Sequence, residues 1–432
     1  MKKIFLALIL IISFTGNSFA ETLTQALNKA YNNNAELNAE RENLIISEKD
    51  LKITKSEYLP SASITTSKSQ EDTNKLTNQS GGDATINDVD PLTTSIKIEQ
   101  TLFDFGRGAD YKKKKIGIDL TREKILKKEQ DIIFKAIEAY TGLILSIEKE
   151  DINKKNVNLK ISQLETDSIR LERGEIKLSD FAQSEASLAG AEAKYIQAKN
   201  DVVTSKLNYE NVIGNISNIS SLKKSIESIA TIPLSLENAI ELSKKNNHDV
   251  KIAQLELLQA EKDIVIAKSD LAPTANLSLE RSYVDDLSTT YDEREKDIFK
   301  ATVTWPFYSG GKKYATIDKN QSIKVRQRLL LDNAVKNNLT NVTSAWANLK
   351  SSESFLDSIK AQVNAAEIAN EGIAAEYQSG AGSRSTLDVI QSNALLLDAQ
   401  ISLANSERNY LLSQYSLLKS VGLLTSSYLN LK

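Results

Sequence analysis

LTQALNKAYNNNAELNAERENLIISEKDLKITKSEYLP, from Leu23 to Pro60, returns 213 residues later as LENAIELSKKNNHDVKIAQLELLQAEKDIVIAKSDLAP, from Leu236 to Pro273. One ungapped register superposes Leu23 on Leu236, Ala26 on Ala239 and Asn33-Asn34 on Asn246-Asn247. It also superposes Glu48-Lys49-Asp50 on Glu261-Lys262-Asp263, Lys55-Ser56 on Lys268-Ser269 and Pro60 on Pro273. A single register held over 38 residues marks an internal repeat. Further along the offset falls to 208, placing Asp180 on Asp388, Gln183 on Gln391 and Gly214 on Gly422. The second copy is therefore shorter in between, as a variable loop would make it. Each copy runs helix, strand, loop, strand, very long helical stretch.

Composition agrees with long helices. Gly (16) and Pro (5) make up about 5% of 432 residues, against roughly 12% in average proteins. Turns need those residues, so the chain makes few turns. Gly106 to Glu172 and Lys312 to Gln378 contain no Pro. At about 1.5 Å per residue, a helix over either stretch would reach roughly 100 Å. Shorter helices of the same style are predicted over 22–57 and 235–270. The net charge of −3 leaves no basic footprint for nucleic acid. Cys is absent and His248 is the single histidine. Thiolate nucleophiles, disulfides and Cys/His zinc sites are thereby excluded. His248 falls on Ala35 of the other copy and reads as packing rather than as a ligand. No metal, cofactor or catalytic cluster is expected.

Lys2 and Lys3, the apolar run Ile4–Ile12 and Ser18-Phe19-Ala20 predict a secretory leader cut before Glu21. Losing two lysines leaves 52 basic against 57 acidic residues, a net −5. No later stretch has the apolar length of a membrane-spanning helix.

After Pro60 the pattern changes to period 2. Ile96–Leu102, Ala275–Glu280 and Phe299–Trp305 alternate apolar with polar residues, in runs of about 9–11, the length of a tilted membrane strand. The polar face carries Lys97, Glu99, Glu280 and Lys300. Phe103, Phe105, Trp305, Phe307 and Tyr308 sit at strand ends, as an interfacial aromatic girdle would. The connecting loops are acidic: Gln70–Pro91 has five acids and one lysine, Asp285–Asp297 six acids and two basic residues. A soluble sheet covered by helices would share the alternation; the girdle and the loops favour a membrane. Four strands cannot close a barrel, and an open edge in lipid is forbidden. The chain is therefore expected to oligomerise, and three copies would supply twelve strands.

The last helix carries Leu387, Ile390, Ala394, Leu397, Ile401 and Ala404 at heptad spacing, and the seam from Leu387 through Leu397 is expected to meet another copy. One residue round runs a mostly polar stripe through Asp388, Gln391, Asp398 and Ser402, matched in the first copy by Asp180, Gln183 and Ser187. A helix with neighbours on two sides and one wet stripe suits the wall of a channel; a coiled coil with a solvated outer face would read similarly. Asp180 and Asp388 each follow a Gly-containing turn. Three Asp388 carboxylates about one axis, with Gln391 one turn on, would form a lumen constriction favouring cations.

Taken in order, these features resemble the TolC family of outer-membrane efflux and secretion proteins, over essentially the whole mature chain. The resemblance rests on Asn33-Asn34-Ala35-Glu36-Leu37, Tyr58-Leu59-Pro60 and Gln100 to Asp104 in the first copy. In the second it rests on Leu271-Ala272-Pro273, Trp305 to Gly311, Glu376 to Gly380 and Arg384 to Ile390. Gly380 to Ser383 makes the turn before Arg384 two residues longer than the common family turn. The resemblance implies a mainly α protein with a membrane β part: a trimeric twelve-stranded barrel continuing as a helical tunnel closed at its periplasmic end. It implies a homotrimer in outer-membrane lipid, served by a periplasmic adaptor (membrane fusion) protein and an inner-membrane ABC or RND-type transporter. It also implies that Tyr377 and Arg384 tie the inner helical pair to Ser179 and Asp180 of the outer pair, partly across chains. A periplasmic adaptor would instead show lipoyl-like β-domains, and a secreted enzyme a catalytic cluster; neither is legible.

The chain accordingly divides into a leader over 1–20, a first-copy helix over 21–60, strand–loop–strand over 61–105 and tunnel helices over 106–214. A linker over 215–234 leads to the second-copy helix over 235–272, strand–loop–strand over 273–309, tunnel helices over 310–422 and a tail over 423–432. N-terminal sequencing of the protein recovered from outer membranes should begin at Glu21; a start at Met1 in inner membrane would overturn the leader and the address.

Overall fold

The computed structural model describes residues 21–431 apart from 74, 76, 78–79, 83–87, 217, 220–221, 226–227, 289–290 and 380–383. The leader over 1–20, part of the loop 70–91 and the lengthened turn at 380–383 lie outside the described residues. The first copy comprises α1 (Leu23–Asn33), α2 (Ala35–Ser56), β1 (Ser61–Lys68), β2 (Leu92–Phe103), α3 (Arg107–Glu172) and α4 (Leu178–Val212). The second repeats that order: α5 (Leu236–Asn246), α6 (His248–Ser269), β3 (Thr274–Asp285), β4 (Glu293–Thr304), α7 (Lys312–Ser379) and α8 (Thr386–Val421).

The short helices differ from expectation. Each is two helices, interrupted at Asn34 and at Asn247, where the backbone turns extended (ψ 121° and 120°). Asn is suited to such a break because its side chain competes for backbone partners. The Asn34 carboxamide accepts from the Leu37 N–H and donates to the Val212 carbonyl at 3.3 Å, while Asn247 donates to the Ser420 carbonyl at 3.1 Å. No helix among the described residues is long and apolar enough to cross a membrane.

The chain forms two compact units. One contains Ala39–Ile125 and His248–Asn337, with the whole sheet. Its strands are antiparallel in the order β1-β2-β3-β4. The register fixes the faces. Ile64 lies opposite Ile96, Ile98 opposite Leu279, Leu279 opposite Phe299, and Ala275 opposite Val303. These residues share one face, and Ile64, Phe299 and Val303 are each about 70% exposed. Lys97 pairs with Glu280 and Ser278 with Lys300, on the other face. Strand alternation alone produces this division. β2, β3 and β4 have 12 residues and β1 has 8. β4 starts earlier than the acidic stretch suggested: Glu293 pairs with Asp285, so the hairpin turns within 286–292. Cross-strand charge accounts for this, because Arg281 lies opposite Asp297 and its guanidinium is 3.1 Å from Glu295.

The other unit holds the residues up to Asn38, Leu126–Asn247 and those from Asn338 on. Its core joins Leu23, Leu27, Ile133, Ile137, Tyr140 and Tyr209 to Leu411, Tyr415 and Leu418. Full burial of such side chains contributes about 1.5–3 kcal/mol each. Described residues of the segments 215–234 and 423–431 are bound to this core. The Tyr415 hydroxyl accepts from the Ile229 N–H, Gln414 from Ser228, and Glu129 from Ser426. Lys224 bridges Glu148 and Glu407.

The long helices pair through seams of seven-residue spacing. In α3 the buried series is Ile132, Ala139, Ser146, Asn153, Lys160 and Asp167, and in α4 Ser184, Ala191 and Ala198. In α7 it is Val342, Leu349, Leu356, Val363 and, two steps on, Tyr377; in α8 it is Ser392, Ala399, Ser406 and Ser413. α8 packs Leu396, Ala399 and Leu403 on Ile359, Val363 and Ala366 of α7. Of the seam expected to face another copy, Leu387 is exposed, but Leu397 is buried within the chain.

α8 ends on Gly422 at φ +86°, which closes the helix by donating to the Leu418 and Lys419 carbonyls. A Cβ there would also lie 2.5 Å from the Asn246 carbonyl oxygen. Gly422→Ala should therefore cost more than about 1 kcal/mol, read as a lower melting temperature of the detergent-solubilised protein; an unchanged temperature would contradict the contact.

Candidate gate and membrane-facing sheet

Near the end of α3, the start of α4, the end of α7 and the start of α8, polar residues from all four helices meet. At the centre is Asp167 of α3, fully buried. Its carboxylate accepts from the Tyr377 hydroxyl of α7 at 2.6 Å, from the Ser184 hydroxyl of α4 at 2.5 Å and from Gln163 at 3.0 Å. The Tyr377 oxygen also lies 2.9 Å from the Thr386 hydroxyl of α8. Arg170 stacks over the Tyr377 ring at 4.3 Å and donates to its carbonyl, while its Nε reaches Glu175 at 3.2 Å. Burial, and then the bond to Asp167, push the Tyr377 phenol above its ordinary value, so it remains a donor at neutral pH. A buried carboxylate needs such donors, since an unsatisfied one is costly.

The expected gate residues fall around this centre. Tyr377 is within it. Arg384 pairs with Glu376 at 2.6 Å, bracketing the turn, and both side chains are exposed; an exposed pair of this kind contributes little by itself. Ser179 is exposed. Asp180 accepts from the Lys177 N–H at 3.2 Å, and Asp388 accepts from the Ser385 N–H and hydroxyl at 2.8 and 2.9 Å. The two equivalent aspartates thus hold the same place in the two copies, three residues past the N-cap. Those bonds from Ser385 hold the Asp388 carboxyl below its ordinary value. Gln391 is exposed one turn on. Within one chain, Tyr377 and Arg384 therefore bond to Asp167 and Glu376, and not to Ser179 or Asp180.

Asp167, Ser184 and Gln163 did not emerge from the sequence, and Glu376 and Thr386 entered only within the stretches that carry the family resemblance, with no role of their own. The one available signal was the seven-residue spacing of Asn153, Lys160 and Asp167, which a search for apolar periodicity passes over.

All five girdle aromatics lie where strands meet helices: Phe103 ends β2, Phe105 follows it, and Trp305, Phe307 and Tyr308 follow β4. All are exposed. Phe103 and Phe105 meet edge to face at 4.2 Å, and the Trp305 indole donates to the Leu271 carbonyl at 3.1 Å. An exposed apolar sheet face bounded by aromatics suits contact with a membrane.

The model of the outer membrane efflux protein family matches residues 26–215 and 239–423, and the chain belongs to that family. It is a transport channel protein of the outer membrane and not an enzyme. Outer membrane efflux protein BepC of Brucella suis is 26% identical, over 96% of this chain and 88% of the relative. Alkaline protease secretion protein AprF of Pseudomonas aeruginosa is 23% identical, over 80% and 72%. The crystal structure of the CmeC outer membrane channel of Campylobacter jejuni superposes with a TM-score of 0.80 at 16% identity, covering 93% of this chain and 86% of that one.

The cap on α8 is testable. Ser385→Ala should cost about 1 kcal/mol, seen as faster hydrogen exchange in the first turn of α8. Because the folded Asp388 value is depressed, its contribution is present above the ordinary carboxylate value of about 3.9 and is lost as pH falls below it. Protection of that turn, the exchange rate set against the intrinsic rate at each pH, should therefore fall on acidification in the wild type and fall less in Asp388→Asn.

Proposed function

We propose that this protein is the exit duct of a tripartite efflux pump or type I secretion system, built from three copies and gated at its periplasmic tip. The observation that carries the reading is the sheet. Its outer strands β1 and β4 have no partner on their outer sides among the described residues, and one face is an exposed apolar band. In lipid such edges must be paired. Four strands fall below the roughly eight that a small barrel needs, whereas twelve from three copies suffice. The polar face with Lys97, Glu99, Glu280 and Lys300 then lines the lumen, and the girdle marks the periplasmic interface.

From β2 the chain passes into α3 and from β4 into α7, so each long helix leads from the barrel to a turn. The turns then form the tip, where a periplasmic adaptor and an inner-membrane ABC or RND-type transporter dock. Tyr377 and Arg384 hold the tip closed, with Ser179 and Asp180 meeting them from a neighbouring copy. Asp388 and Gln391 line the narrowest part of the lumen. Names among the relatives, one for efflux and one for alkaline protease secretion, support a duct that serves a transporter. A swing from 1:99 to 99:1 takes about 5.5 kcal/mol, which a few polar ties can supply.

Cross-linking in detergent should give trimers; monomers or dimers alone would overturn the assembly. In planar bilayers Arg384→Ser with Tyr377→Phe should raise single-channel conductance. Asp388→Asn removes the charge while keeping a cap acceptor, and should weaken cation selectivity. If neither changes in intact trimers, the constriction lies elsewhere.

A further inference from the structure

The two copies place the same hydrogen bond at the same level of their helical pairs. In the first, the Ser184 hydroxyl of α4 donates to Asp167 of α3 at 2.5 Å. In the second, the Ser392 hydroxyl of α8 donates to the Asn370 side-chain oxygen of α7 at 2.8 Å. Ser184 and Ser392 are related by the 208-residue offset of the repeat. Asp167 and Asn370 are therefore structural counterparts, one charged and one neutral. The serine bond needs only a neutral acceptor, as Asn370 shows.

The extra charge at 167 requires another explanation. Tyr377 stands one heptad beyond Asn370 and brings its hydroxyl to the second Asp167 oxygen at 2.6 Å. Bonds to a charged acceptor are about twice as strong as neutral ones. Asp167 is fully buried and no cation contacts it among the described residues; Arg170 instead covers the Tyr377 ring. The charge is thus directed at its hydroxyl donors, and Tyr377 is the one that comes from the other helical pair.

We infer that Asp167 is the positioning residue of the gate: within each chain its carboxylate holds Tyr377 and so couples the α3–α4 pair to the α7–α8 pair. This rests on the gate reading above and assigns to it a contact distinct from those expected with Asp180. The carboxylate is the shared element, so loss of either partner should release the same coupling.

The test is Asp167→Asn, which installs what the second copy already carries at the equivalent place, and so retains the Ser184 bond. Trimers of Asp167→Asn, Tyr377→Phe, Asp180→Asn and the Asp167→Asn/Tyr377→Phe double variant are compared in planar bilayers, with melting temperatures recorded alongside. Asp167→Asn should raise the open-to-closed ratio about tenfold, equivalent to about 1.4 kcal/mol. Tyr377→Phe should match it, and the double variant should exceed neither single one. A merely structural role would lower the melting temperature without that non-additivity. If Tyr377→Phe opens the channel while Asp167→Asn does not, or if the two effects add, the assignment of Asp167 is overturned and the gate stands. If no variant, Arg384→Ser included, alters conductance, the gate reading itself fails.

Discussion

A backbone N–H or C=O without a partner in hydrocarbon costs several kcal/mol, and a four-stranded sheet has two rows of them. Everything distinctive about this chain follows from that constraint. Among the described residues β1 and β4 have no partner on their outer sides, and in the assembly proposed above neighbouring copies supply it. The alternation fixed by the register sends Ile64, Ile96, Leu279 and Phe299 to one side and Lys97, Glu280 and Lys300 to the other. A single-residue slip would invert both faces. The 12-residue strands, with Arg281 opposite Asp297 near the hairpin, hold that register.

The repeat supplies a frame in which likeness and difference can be separated. Both copies break their leading helix at an Asn, cap their last helix with an Asp and set a serine against an oxygen acceptor across the helical pair. Those shared features are what the architecture requires. The copies part where α7 fills its seam with Val and Leu and α3 fills the equivalent seam with Ser, Asn, Lys and Asp. Burial holds the Lys160 ammonium below the ordinary lysine value, an expense that an apolar residue would avoid. The first pair is thus the less apolar of the two at its contact, and polar bonds carry more of its cohesion.

The sequence made the repeat, the four strands and the long helices legible because each depends on periodicity or on the scarcity of Gly and Pro, which are local properties. The breaks at Asn34 and Asn247 were not legible: Asn tolerates a helix interior, and only the Val212 and Ser420 carbonyls turn it into a breaker. β4 was read too short because Glu293, Glu295 and Asp297 resemble loop residues until Arg281 is placed beside them. Tyr377 was found through family resemblance. Its partner Asp167 was not, since it sits 210 residues away on a stripe whose polar character hid its burial. Leu397 was assigned to a contact between copies, yet it packs within its own chain.

The seam of α3 repeats every seven residues from Ile132 to Asp167, five intervals in all. A straight α-helix drifts by about 20° per heptad against such a repeat, and so by roughly 100° over five. On a straight α3 the stripe that meets Ser184 of α4 at Asp167 would face well away from α4 further along the helix. The residues of the stripe stay buried only if the two helices wind left-handed around each other. The handedness of the superhelix is therefore set by the spacing of six side chains, four of which are polar and outside the usual coiled-coil core.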